Sequence, residues 1–117
     1  MENAANEFLM FTRGLAPVKC AYVDRMTDAD YEFHNVANLP VNWTVGDMAK
    51  FLSDLNFEYN DGYGLAWLRG AIWFMDGTWA ERRDYDGAEW WLHCTPPIIP
   101  DDLKVVPDID KESGDNL

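Results

Sequence analysis

The sequence predicts an α+β domain: an antiparallel sheet of about four to five strands, with one main helix packed on one face. Three observations carry that prediction. Two Asp-Gly pairs, Asp76-Gly77 and Asp86-Gly87, interrupt the aromatic-rich stretch from Leu65 to Thr95 and lay out a three-stranded meander, because Asp-Gly suits tight hairpin turns. Val18 to Val23 is rich in β-branched and aromatic residues, as strands are. Between these stretches Val45, Met48, Phe51, Leu52 and Leu55 recur at helical spacing.

Taken from the N-terminus, Phe8-Leu9-Met10-Phe11 fits either a short helix or the first strand of a hairpin closed around Gly14–Pro17. A four-residue apolar run does not separate the two. The strand Val18–Val23 follows, then a turn at Thr27-Asp28-Ala29-Asp30, and Tyr31–Val36 is the candidate return strand. The main helix starts after Pro40. Thr44 is placed to cap it, and Asp47 three residues on completes an acidic variant of the capping box. It should end near Asn56, before the loop Asn60-Asp61-Gly62-Tyr63-Gly64.

Reading both Asp-Gly pairs as two-residue type I′ turns fixes the register of the meander. Phe74 then faces Trp79 and Ile72 faces Glu81, while Arg83 faces Trp90 and Arg82 faces Trp91. Alternation assigns Leu68, Ile72, Phe74, Trp79, Tyr85, Trp90, Leu92 and Cys94 to the face under the helix. The opposite face collects Trp67, Arg69, Ala71, Trp73, Met75, Ala80, Arg82, Asp84, Glu89, Trp91 and His93. A one-residue bulge would exchange the faces beyond it. The stiff run Pro96-Pro97-Ile98-Ile99-Pro100 is a candidate strap over the sheet. Residues 1–104 are expected to form the domain, and 105–117 a mobile acidic tail.

Charge narrows the function. The chain has 21 Asp and Glu against 9 Lys and Arg, net −12, which argues against binding nucleic acid through a basic face. No apolar run reaches the roughly 18 residues of a membrane span and no signal peptide is visible, so a cytoplasmic protein is expected. Cys20 and Cys94 lack metal-ligand or redox-pair spacing and read as small buried hydrophobes. With His34 and His93 they form no short-spaced ligand set except one adjacent pair, and Asp84–Glu89 lacks the ligand run of a calcium loop. Neither serine sits in a nucleophile-elbow setting, and no glycine loop cradles phosphate. No catalytic residue, metal or cofactor is assigned.

Two surfaces remain as candidates. Trp and Arg are the residues most enriched at binding hot spots, which makes Trp67, Arg69, Trp73, Arg82 and Trp91 a candidate partner-binding set. The competing reading is that a second layer, built from the N-terminal segment and the proline strap, covers that face. Eight acids between residues 24 and 61 (Asp24, Asp28, Asp30, Glu32, Asp47, Asp54, Glu58 and Asp61) form a candidate acidic surface, offset there only by Arg25 and Lys50. Spaced like duplex phosphates, they would suit a DNA mimic that occupies the basic groove of a DNA-binding enzyme. Dispersed, they maintain solubility.

The segment from Ile72 to Trp91, with its IWFMDGTWAERRDYDGAEWW run, followed by Pro96–Pro100, resembles small accessory proteins of tailed phages and prophages. That resemblance implies a phage-encoded, non-enzymatic protein of the host cytoplasm that binds and modulates or inhibits a host bacterial protein. Defence complexes and nucleic-acid enzymes are the implied partner classes. Self-association stays open, and the resemblance carries over no catalytic residue. The DNA mimic is the second reading, and a small enzyme with an unrecognised site the third.

Overall fold

The structure, a computed structural model, describes residues 1–27, 29–60 and 66–104. In chain order its elements are β1 (Glu2–Asn3), α1 (Ala4–Thr12), β2 (Val18–Met26), β3 (Phe33–Leu39), α2 (Val45–Asp54), β4 (Glu58–Tyr59), β5 (Leu68–Phe74), β6 (Trp79–Tyr85), β7 (Ala88–Cys94) and α3 (Asp101–Lys104). The fold is α+β. Five antiparallel strands run in the order β3-β2-β5-β6-β7, and β1 pairs with β4 in a separate two-stranded ribbon. No helix among the described residues is long and apolar enough to cross a membrane.

The ambiguous N-terminal run is helical. Ala4, Phe8 and Phe11 fall at i, i+4 and i+7, and the first two are buried against the sheet. Asn3 caps this helix by accepting from the Asn6 N–H at 3.0 Å. The Ala4 and Ala5 N–H groups, which no helix can satisfy internally, donate to the carbonyls of Phe57 and Leu55 at 2.9 and 3.0 Å. The chain leaving α2 therefore docks the start of α1, and the two helices meet through an edge-to-face contact of Phe8 and Phe51, centroids 5.0 Å apart.

The return strand starts at Phe33 and runs to Leu39, later and further than the expected Tyr31–Val36. The turn explains the delay. Tyr31 has φ +57°, and the Asp30 carboxylate accepts from the Glu32 N–H at 3.0 Å, so extended pairing waits until Phe33. Ala37 and Leu39 then alternate into the core.

The cap of α2 forms as the sequence implies: the Asp47 N–H donates to Thr44 Oγ1 and the Thr44 N–H to the Asp47 carboxylate. Phe51 and Leu55 are buried and Met48 and Leu52 half-buried, but Val45, at the start of the first turn, is exposed. Where β2 crosses β5, a Cβ on Gly70 would lie 2.3 Å from the Tyr22 carbonyl oxygen, so only glycine permits the observed approach.

The two Asp-Gly turns differ, and the difference decides the sheet. Asp86 and Gly87 have φ +52° and +89°, the two-residue turn expected, and Arg83 faces Trp90 and Arg82 faces Trp91. At the first turn only Gly77 is left-handed (φ +87°), and the Phe74 N–H donates to the Thr78 carbonyl, closing a three-residue loop of Met75, Asp76 and Gly77. Trp73 thus faces Trp79 and Ile72 faces Ala80, one residue away from the expected Phe74–Trp79 and Ile72–Glu81 pairs. That single residue exchanges the faces of β6 and β7. Ala80, Arg82, Glu89, Trp91 and His93 lie on the side of the helices. Trp79, Glu81, Arg83, Tyr85, Trp90, Leu92 and Cys94 lie on the open side.

The proline run does not strap the sheet. Residues 96–100 are all exposed, Ile98 and Ile99 included. The covering layer is α1 with α2, and it lies on the side of Ile72 and Phe74. The expected tail, 105–117, lies outside the described residues.

Candidate functional site

The covered face contains a polar cluster inside an apolar core. Arg82 on β6, with its side chain only 3% exposed, donates to Glu7 of α1 at 3.0 Å, to Glu89 of β7 at 2.6 Å and to the Tyr59 hydroxyl of β4 at 3.0 Å. Tyr59 in turn donates to Glu7. Glu89 also accepts from the Trp67 and Leu68 N–H groups at 2.6 and 3.1 Å. Beyond the three residue pairs joining β5 and β6, this carboxylate therefore bridges the start of β5 to β7. Trp91 lies beneath, stacked on Phe11, with the Arg82 guanidinium 5.0 Å from its ring.

Burial sets the electrostatics of this cluster. It pushes the Glu7 carboxyl above its ordinary value, despite the opposing pull of Arg82 and the Tyr59 hydrogen bond. Burial, together with the bond to Glu7, raises the Tyr59 phenol well above its usual range. Arg82 loses solvation, but Glu7, Tyr59 and Glu89 more than compensate and hold its proton more firmly than in water.

The opposite face has no layer over it among the described residues. Its side chains form rows across the strands: Cys20, Trp73, Trp79 and Cys94 in one, and Asn38, Tyr22, Ala71, Glu81 and Leu92 in the next. Trp73 is 42% exposed, and Trp90 and Leu92 are each 39% exposed, high values for large apolar groups in mid-strand. Tyr22 and Trp73 lie with centroids 6.2 Å apart. Charges on this face are tied down: Trp79 Nε1 donates to Glu81 at 2.9 Å, Arg83 pairs with Glu81 at 3.2 Å, and the Arg69 guanidinium sits 3.9 Å from the Phe33 ring centroid. Both cysteines are free thiols, half-buried on this side rather than in the core as expected.

The five residues expected to form one partner-binding face are thus divided. Trp73 and Arg69 are on the open face. Arg82 and Trp91 are interior, because the extra residue in the first turn rotates them inward. Trp67 is half-buried and packs against the core. Sequence reasoning missed Tyr22, Trp79, Arg83, Trp90 and Leu92 as members of the open face. The signal that bears on them is the turn itself, since Asp-Gly also ends three-residue loops.

The acids do not act as one group. Asp47 caps α2 and Asp54 pairs with Lys50 at 2.8 Å. Asp24 accepts from Asn35 at 3.1 Å, while Glu58 is exposed in β4. The Asp30 carboxyl is held below its ordinary value by the Glu32 N–H and by His34. Asp30, Glu32 and His34 have ligand atoms within 4.8 Å of one another, all exposed, and Asp30 is held there by hydrogen bonds to the Glu32 N–H and to His34. Asp28 and Asp61 lie outside the described residues. No family model, curated protein or solved structure matches this chain.

Proposed function

We propose that the protein is a non-enzymatic accessory protein, of the kind that phages and prophages encode, and that it binds a host bacterial protein through the open face of its sheet. One observation carries this reading: a face with Trp73, Trp79, Trp90, Leu92 and Tyr22 lies uncovered among the described residues, while the reverse face of the same sheet carries the buried core. Trp73, Trp90 and Leu92 supply contact area, and Arg69 and Arg83 direct the edge of the contact. The resemblance of residues 72–91 to phage accessory proteins supports the host partner.

The test is affinity capture from a bacterial lysate at low salt and at about 0.5 M salt, where screening reaches about 4 Å. The wild-type chain should retain its partner at both, and Trp73→Ala with Trp90→Ala should release it without shifting the melting curve by more than a few degrees. Capture that disappears in high salt and is competed by duplex DNA would move the binding function to the acids. Capture unaffected by the double substitution would overturn the open-face assignment.

A further inference from the structure

A cleft of about 350 Å³ opens between α1 and β7, lined by Glu2, Glu7, Met10, Phe11, Trp90 and Trp91. Only the two glutamates among these carry charge, and both are negative. Glu7 belongs to the cluster described above, where Glu7 and Glu89 share a single cation, Arg82. The cluster therefore carries one excess negative charge, and Glu2, near enough to act electrostatically on Glu7, adds a second. The excess has a definite outlet. Glu89 and Arg82 are sealed, at 1% and 3% exposure, whereas the Glu7 side chain keeps 17% and faces the cleft. The walls around it are apolar: Met10 and Phe11 on the helix side, Trp90 and Trp91 on the sheet side.

We propose that this cleft takes a cationic side chain of the bound partner, an arginine whose methylenes lie along Met10 and Phe11 and whose guanidinium meets Glu7 and Glu2. An open cleft with apolar side chains and two glutamates in its lining matches that amphipathic character, and the planar, weakly hydrated guanidinium suits it better than a compact ammonium. Trp90 belongs both to the cleft lining and to the open face, so the arginine would stand at the margin of the contact argued above. The inference rests on that reading for the source of the arginine, but the site is testable without any partner.

The probe is Nα-acetyl-arginine amide, titrated into the isotope-labelled full-length chain and followed by the indole N–H signals of Trp90 and Trp91. Saturable shifts at millimolar probe are expected. The neutral citrulline analogue should bind at least about tenfold more weakly, since it keeps the shape and loses the charge. Glu2→Gln, outside the buried cluster, should weaken the arginine probe by about threefold, with the melting temperature unchanged. Glu7→Gln should weaken it further, and its fold is checked by the same melting curve. No shift at 20 mM probe, or equal binding of arginine and citrulline, would overturn the site. Either result would leave lysate capture and its loss in the Trp73→Ala/Trp90→Ala variant untouched, so the two proposals fail separately.

Discussion

The two faces of the five-stranded sheet use the same residue types for opposite ends. On the covered face Arg82 and Trp91 are buried, and the guanidinium is held by Glu7, Glu89 and Tyr59. On the open face Arg83 and Trp90, their immediate chain neighbours, reach solvent. A Trp-Arg pattern is therefore not a binding signal in itself. What separates a buried Trp or Arg from an exposed one is which side of the pleat it occupies, and here a single extra residue in the Met75-Asp76-Gly77 loop sets that for two strands.

The largest effect expected from breaking this contrast is at Arg82. Arg82→Met strands two buried carboxylates and should cost about 3–5 kcal/mol, read as a lowered urea midpoint. Adding Glu7→Gln and Glu89→Gln should recover part of that loss, because the stranded charges, rather than the missing contacts, dominate it. The equivalent change on the other face, Arg83→Met, should stay within about 0.5 kcal/mol.

Next in size is Gly70→Ala. The new methyl group meets the Tyr22 backbone carbonyl, which cannot rotate away, so β2 and β5 must separate at a cost of about 1–3 kcal/mol. Thermal melting followed by circular dichroism measures it, and a neutral result would mean that the strands at the centre of the sheet are farther apart than described.

A smaller effect appears at alkaline pH. Tyr59 keeps its proton in the folded chain after the unfolded chain has lost it, since its folded value lies above the ordinary 10.0. Its contribution is fully present below pH 10 and is lost as pH rises beyond it. Stability against urea should fall above pH 10 in the wild type, and Tyr59→Phe should flatten that fall.

Much of the scaffold is legible in the residues. Thr44 and Asp47 announce the start of α2 because a capping box needs only local spacing, and Asp86-Gly87 fixes its hairpin because both residues take positive φ. The first turn is not legible in the same way. Asp76-Gly77 serves equally in a two-residue turn and at the end of a three-residue loop. The alternation in Trp79–Tyr85 does not arbitrate, since each face of that strand carries charges. The buried cluster is invisible to spacing for another reason: Glu7 and Arg82 stand 75 positions apart and are brought together only when α1 lies on the sheet. Two of the five expected contact residues, Arg69 and Trp73, lie on the open face because β5 precedes the ambiguous turn. Arg82 and Trp91 follow it and change sides.

The register at that turn is the claim on which the rest depends, and paired urea denaturation of Trp90→Ala and Trp91→Ala tests it most directly. These are adjacent residues of one strand with the same side chain, so composition and propensity cancel. Trp91→Ala should cost about 3–5 kcal/mol by emptying the core, and Trp90→Ala no more than about 1 kcal/mol. The reverse order would place Trp90 under the helices and Trp91 in solvent, and would contradict the account.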